Sequence, residues 1–249
     1  MPAPRHTFRL DLAYEGTRFK GWANQPGLRT VQGVLEEALA TVLREPVRLS
    51  VAGRTDAGVH AVAQVASFAT PVAVRPERLL LSLNALLPPD VAVSAVVPAA
   101  PGFDARAARA RTYRYRLWTS PARPVLERAY VWNVRGALDL VLLDETAALL
   151  VGEQDFSALT PSAHLYHHCV REVRRAFWAP GAHAAERVFE ITSGSFLHHM
   201  VRVAVGSMVD VAQGRLAPEA FAVALAGGER RAMGQTAPAR GLVLVAVEY

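Results

Sequence analysis

The order of helix and strand patterns in the first hundred residues constrains the fold most. Apolar alternation and β-branched runs mark four strands, and helical spacing of apolar residues marks two helices, the first of which Thr30 is able to cap. The predicted elements are strands over residues 7–14, 47–52, 61–68 and 91–97, and helices over residues 30–44 and 75–87. Their order, β-α-β-β-α-β, is that of a ferredoxin-like unit.

A second set of patterns begins near residue 111 and loosely repeats the first. It predicts strands over residues 112–118, 170–178, 187–192 and 242–248, and helices over residues 144–151, 199–213 and 218–225. The segments 98–109 and 119–139 are rich in Pro and Arg, which is typical of a connector and a surface loop. We therefore predict an α+β fold of two ferredoxin-like (RRM-like) halves, residues 1–108 and 109–249. Mixed or antiparallel sheets with helices on one face leave a ligand cleft between the halves.

Composition and length indicate a soluble globular protein. The chain has 249 residues, 51% of them hydrophobic, and its apolar runs are far shorter than the roughly 20 residues of a membrane span. The N-terminus lacks the apolar region of a secretion signal, which predicts a cytoplasmic protein without membrane association. Cys169 is the only cysteine, so an intramolecular disulfide and a thiolate-clustered zinc site are excluded.

Charge favours a polyanionic partner. The formal net charge is +5, and because Lys20 is the only lysine among 27 basic residues, 26 are arginines, whose guanidinium groups suit bidentate phosphate contacts. An arginine excess beside abundant Ala, Leu and Val is also the expected outcome of a GC-rich genome. Charge by itself therefore leaves the partner open.

One predicted loop presents a carboxylate that is a candidate catalytic group. Residues 53–60, with the sequence GRTDAGVH, link two predicted strands, so Asp56 lies at a loop apex flanked by glycines. An aspartate among small residues is more often a turn former than a catalytic group. The neighbouring Arg54 and His60 and the apolar strands on both sides favour a rigid functional loop.

This octapeptide resembles the catalytic motif of the A-type tRNA pseudouridine synthases, and further motifs follow in that family's order along nearly the whole chain. They are Tyr14-Glu15-Gly16-Thr17 with Phe19, Gly21 and Trp22; Asn84 to Pro88; Phe103-Asp104-Ala105-Arg106; Arg111-Thr112-Tyr113-Arg114-Tyr115; Phe196 to Arg202; and Gly241-Leu242. The resemblance implies an isomerase that converts uridine to pseudouridine in tRNA at positions 38, 39 and 40 of the anticodon arm.

The resemblance also implies roles for single residues. Asp56 matches the nucleophile and Arg202 the arginine that orients its carboxylate. Tyr113 matches the tyrosine that packs on the target base, which leaves Tyr115 to structure. Arg54 matches the arginine that displaces the base, and Arg106 lies in a segment that contacts tRNA, where we interpret it as part of a basic run with Arg109, Arg111 and Arg114.

The same resemblance implies a homodimer that binds tRNA and needs no cofactor or metal. The sequence also lacks a glycine loop of the phosphate-binding type. It departs from the family's pattern at Asp104 and Ser67, where histidine is common.

Without the family resemblance, the residues are compatible with two other functions. A ferredoxin-like sheet bearing aromatic and arginine side chains also suits an RNA-binding module without catalysis. The histidines of residues 164–169 would suit a metal-dependent hydrolase, although they are crowded into one short loop. His198 and His199 fit packing at the start of a helix better than metal ligation.

Overall fold

The computed structural model describes residues 6–249 and divides them into two compact units. Unit 1 comprises residues 6–111 and 244–249, and unit 2 comprises residues 112–243. The segment 244–249 thus belongs to unit 1, whereas the sequence assigned it to the second half. The division into two halves at residues 108 and 109 stays a prediction. Among the helices of residues 6–249, none combines the length and apolar character needed to cross a bilayer.

Unit 1 has the predicted order of elements. They are β1 (His6–Tyr14), α1 (Val31–Leu43), β2 (Ser50–Val51), β3 (His60–Thr70), α2 (Pro76–Leu86) and β4 (Val91–Ala99). The strand predicted over residues 47–52 is shorter than expected, because only Ser50 and Val51 pair with β3.

The strands of unit 1 are arranged as in a ferredoxin-like sheet. β1 lies between β4 and β3 and is antiparallel to both, and β2 pairs with β3. Buried side chains alternate along β1 at Phe8, Leu10, Leu12 and Tyr14, as expected of a strand that buries one face. α2 packs against β4 and α1. The α+β class predicted from the sequence is confirmed.

Helix α1 shows why the sequence predicts it well. Thr30 is extended, and its hydroxyl oxygen accepts a hydrogen bond from the Gly33 amide at 3.2 Å, which caps the helix as predicted. Val31, Leu35 and Leu39 are fully buried on one face.

Unit 2 carries most of the remaining elements. In chain order the remaining elements are β5 (Ala110–Trp118), β6 (Trp132–Asn133), α3 (Leu140–Ala148), β7 (Gly152–Asp155), β8 (Val170–Pro180), β9 (Glu186–Ser193), α4 (Met200–Ala212), α5 (Pro218–Gly227) and β10 (Leu242–Glu248), of which residues 244–248 belong to unit 1. The strand order within this unit is β5-β9-β8-β7. The helix predicted over residues 144–151 is wrong in its bounds, because Asp139 accepts hydrogen bonds from the Val141 and Leu142 amides and starts α3 earlier.

Helix α4 is the buried centre of unit 2. Almost all of its residues are buried, and it packs against α3 and α5. Its polar Ser207 and Asp210 are buried too: Ser207 accepts a hydrogen bond from the Gly234 amide, and Asp210 accepts from the backbone and side-chain amides of Gln235. The segment that follows α5 is thereby fixed along α4.

Candidate active site

The loop between β2 and β3 presents Asp56 at its apex, as predicted. The Val59 amide donates to the Asp56 carbonyl at 3.2 Å, and Gly58 has a positive φ of 79°, so the chain turns tightly directly after the carboxylate. Asp56 is partly exposed. Arg54 is exposed and forms no ion pair with any of residues 6–249, which leaves its guanidinium available to a ligand.

A segment that we call the brace, residues 14–22, holds this loop through backbone contacts. The Trp22 amide donates to the Thr55 carbonyl at 3.0 Å, and the Gly58 amide donates to the Phe19 carbonyl at 3.3 Å. The Gly16 amide donates to Nδ1 of the buried His60 at 3.0 Å. Bonds on both sides of Asp56 therefore fix the loop.

Two glycines allow the brace to approach the loop this closely. A Cβ atom at Gly16 would lie 2.0 Å from the Val59 carbonyl oxygen. Gly21 has a φ of 93°, and a Cβ atom there would lie 3.0 Å from the Thr55 carbonyl oxygen. A side chain at Gly16 would consequently displace either the brace or the Asp56 loop.

An ion pair supports the brace from outside. The Arg29 guanidinium binds both carboxylate oxygens of Asp90, at 2.8 and 2.7 Å, and lies 4.0 Å from the centre of the Phe19 ring. The Asp90 carbonyl accepts from the Glu15 amide, and the Arg29 carbonyl accepts from the Lys20 amide. The hydrogen bonds from Arg29 hold the pKa of Asp90 below its usual value.

Asp90→Asn is expected to lower the free energy of unfolding by about 1 kcal/mol at pH 7, since the pair is bidentate but partly exposed. Because the folded state lowers the pKa of Asp90, this stabilisation is present above the unfolded pKa of about 3.9 and is lost as pH falls through the lower folded value. Urea unfolding at pH 7 and at about pH 3 measures both effects.

The control is Glu229→Gln, which removes a carboxylate paired with Arg231 in a contact whose side chains are 56% and 86% exposed. This variant should unfold like the parent chain at either pH. An Asp90→Asn protein as stable as the parent at pH 7, or equally destabilised at both pH values, would contradict the prediction.

Residues 103–107 form a tight turn whose basic side chain is already paired. Asp104 accepts from the Arg106 amide at 2.9 Å and from the Arg106 guanidinium at 2.8 and 2.5 Å. These contacts lower the pKa of Asp104 and raise that of Arg106. Ser67 accepts from the Ala105 amide, and the Tyr249 hydroxyl donates to the Ala105 carbonyl. Asp104 and Ser67, where the sequence departs from the family pattern, thus both shape this turn.

The interpretation of Arg106, Arg109, Arg111 and Arg114 as one basic run that contacts tRNA is wrong for Arg111. It is buried, and its guanidinium donates to the carbonyls of Ala52, Ala108 and Arg106 over distances of 2.5 to 3.1 Å. This arginine joins the strand before the Asp56 loop to the turn at residues 103–107. Arg114 is engaged as well, because it pairs with Glu190 at 2.7 Å.

In unit 2, Arg202 lies in the first turn of α4 and is fixed by a neighbouring segment. Its Nε donates to the Ala237 carbonyl at 2.9 Å, and the Ala237 amide donates to the Arg202 carbonyl at 3.0 Å. Gly206 allows this approach, since a Cβ atom there would lie 1.9 Å from the Gln235 carbonyl oxygen. The sequence predicts the importance of Arg202 but not the support that residues 235–237 give it.

The two tyrosines of β5 are held differently. Tyr115 is fully buried and donates to the Pro238 carbonyl at 2.7 Å, and burial raises its pKa far above the usual range. This agrees with its predicted structural role. Tyr113 is also buried, and its ring meets that of Phe196 edge to face, with centroids 5.1 Å apart. Phe196 therefore fixes the plane of the Tyr113 ring.

His198 and His199 pack on each other directly before α4. His199 precedes α4 with a positive φ of 62°, and its ring packs on that of His198 at 3.9 Å. The His198 amide donates to the Tyr166 hydroxyl, and Nδ1 of His198 bonds the Ser162 hydroxyl. Across residues 6–249, the histidines of residues 164–168 do not converge into a group of three metal-ligating side chains.

Comparison with known proteins decides the family. The chain matches the family described as tRNA pseudouridine synthase over residues 12–106 and 146–249. It belongs to that family. Three relatives, each named tRNA pseudouridine synthase A, align with 97% of this chain. The protein of Solidesulfovibrio magneticus is 45% identical with 90% of its length covered, that of Moorella thermoacetica 39% with 98%, and that of Geotalea uraniireducens 41% with 98%.

The predicted site residues of this tRNA pseudouridine synthase family member are divided between the units. Arg54, Asp56 and Arg106 lie in unit 1, and Tyr113 and Arg202 lie in unit 2. The brace and the buried Arg111 were missed as supporting elements. The family motifs that contain these residues were the sequence signal for them, but a motif does not show which contacts its residues make, because contacts between distant residues leave no local pattern.

Proposed function

We propose that this chain is an isomerase that converts uridine to pseudouridine at tRNA positions 38, 39 and 40, in the anticodon arm. Membership in the tRNA pseudouridine synthase family supports the reaction. The observation that carries the proposal is the position of Asp56, a carboxylate at the apex of a loop that the brace holds on both sides. A nucleophile needs such a fixed position to attack one atom of a bound nucleoside.

The reaction needs no oxidant or reductant. The bond from N1 to C1′ breaks, the uracil turns, and C5 bonds to C1′. The proton on C5 is released and N1 gains a proton, so product and substrate are isomers. Asp56 assists as a nucleophile, either on the base or on the ribose. The uracil has to stay in place while it is detached.

We propose further roles that follow from the family motifs. Arg54, with its exposed guanidinium, displaces the stacked uridine, at a cost of roughly a few kcal/mol for the unstacking. Tyr113 packs on the released base, with its ring plane fixed by Phe196. Arg202 is the arginine that orients the carboxylate of Asp56. Arg106 contacts the tRNA backbone, which positions the substrate without reading its sequence.

We also propose that the enzyme acts as a homodimer in the cytoplasm, where tRNA is modified. The net charge of +5 supports binding of a polyanion but not a particular stoichiometry. Sedimentation equilibrium of the purified protein, with and without tRNA, tests the dimer. A species with the mass of one chain at all concentrations would contradict it.

Release of tritium from tRNA labelled at C5 of uridine tests the function. The purified chain should release one tritium for each uridine converted, and tRNA carrying cytidine at positions 38, 39 and 40 should release none. A non-catalytic RNA-binding module would bind tRNA without releasing tritium. Full release after exhaustive chelation would exclude a metal-dependent reaction.

A further inference from the structure

Three buried polar side chains form a chain of hydrogen bonds that ends beside Asp56. Gln64 on β3 donates from Nε2 to the Gly53 carbonyl at 2.7 Å and to the Tyr14 hydroxyl oxygen at 3.2 Å. The Tyr14 hydroxyl lies 2.7 Å from the hydroxyl of Thr55. The residues Tyr14, Thr55 and Gln64 are 5%, 7% and 0% exposed, so water contributes little to these bonds.

The partners of Gln64 fix the orientation of its amide. The Gly53 carbonyl is only an acceptor and must face the NH2 group. The Val65 amide is only a donor, and it donates to Oε1 of Gln64 at 3.2 Å. Both amide hydrogens are therefore committed, one to Gly53 and one to Tyr14.

Tyr14 connects Gln64 to Thr55. Its hydroxyl oxygen accepts from Nε2 of Gln64, and it forms a second hydrogen bond with the Thr55 hydroxyl, in which either hydroxyl can be the donor. Burial raises the pKa of Tyr14 to about 12, so its hydroxyl stays protonated at any pH used for tRNA. The hydrogen bonds therefore form a continuous link from β3 to the Asp56 loop.

We propose that Tyr14 and Gln64 are positioning residues for Asp56. Through Gly53 and Thr55 they fix the loop backbone on both sides of Arg54, directly before the carboxylate. The rest of the brace also fixes the loop, at Thr55 before Asp56 and at Gly58 and His60 after it. The inference rests on the proposed function, in which Asp56 is the nucleophile, because a displacement of about 1 Å at a reacting group costs roughly 100-fold in rate.

Tyr14→Phe tests the proposal, since it keeps the ring and removes only the hydroxyl. The single-turnover rate of tritium release should fall by about 10-fold to 100-fold, with the Kd for tRNA changed by less than about twofold. Thr55→Val should have a similar effect. The double variant should lose little more than either single variant, because each change breaks the same hydrogen bond.

Thr70→Val is the matched control. Thr70 is a fully buried residue at the other end of β3, and its hydroxyl also makes two hydrogen bonds, to Glu45 and from the Val72 amide. Loss of the Thr70 hydroxyl should lower the melting temperature about as much as Tyr14→Phe does and leave the single-turnover rate unchanged. Equal rates for the two variants, or a fall in rate matched by an equal rise in Kd, would overturn the proposal.

Amide hydrogen exchange separates this inference from the proposed function. In Tyr14→Phe, and not in Thr70→Val, the amides of residues 55–60 should exchange faster than in the parent chain. A parent chain that releases no tritium would refute the proposed function, and unchanged exchange in Tyr14→Phe would then also refute the positioning role.

Discussion

Asp56→Ala is expected to lower the rate of tritium release from C5-labelled tRNA by at least about 1,000-fold, because it removes the proposed nucleophile. The affinity for tRNA should change by less than about threefold, since phosphate contacts supply most of the binding energy. The substitution lies at an exposed loop apex whose backbone is held from both sides, so the variant should fold. Single-turnover kinetics and a filter-binding assay measure the two quantities.

Asp144→Ala is the control for loss of a carboxylate. Asp144 is exposed on α3 in unit 2, and its removal should leave both the rate and the affinity within about twofold of the parent chain. An Asp56→Ala protein that keeps more than a tenth of the parental rate would exclude Asp56 as the nucleophile.

Gly16→Ala is expected to produce the second largest effect, on stability and on activity together. The added methyl would lie 2.0 Å from the Val59 carbonyl oxygen, and both partners are backbone, so the brace and the loop must separate. Overpacking of this kind costs about 2–3 kcal/mol. A shift of about 1 Å in the loop would lower the rate roughly 100-fold. Urea unfolding and single-turnover kinetics measure the two losses.

Gly227→Ala makes the same chemical change where space is open. No atom lies within 4 Å of a Cβ placed on Gly227, the last residue of α5. This variant should be as active as the parent and more stable by about 0.5 kcal/mol, since alanine restricts the unfolded chain. If Gly16→Ala behaved in the same way, the close contact between brace and loop would be refuted.

The parts of the fold that the sequence predicts well are those with strong local signals. Helix α1 has a capping threonine and a regular apolar stripe, and the structure places it within one residue of the prediction at each end. The bounds of helix α3 were predicted wrongly because its first turn is apolar and partly exposed, and its cap Asp139 was not recognised. Strands β6 and β7 were missed because they are short, and pairing with neighbours rather than side-chain pattern forms them.

The candidate site also has features that the sequence predicts and features that only the fold shows. The position of Asp56 at a loop apex follows from the flanking strands and glycines, and its predicted role comes from the family motif. The brace depends on bonds between residues about 40 positions apart, for which the sequence has no periodic signal. Arg111 was counted with its charged neighbours, and only the fold shows that three backbone carbonyls surround it.

The return of the chain to unit 1 has a consequence for biosynthesis. Residues 244–249 complete this unit, where Glu248 accepts from the Arg109 amide and Tyr249 packs on Phe103 and donates to Ala105. Residues 6–111 leave the ribosome before residues 112–243, yet they cannot acquire these contacts until residues 244–249 have been translated. The turn that contains Arg106 therefore acquires its bond to Tyr249 only after synthesis of unit 2.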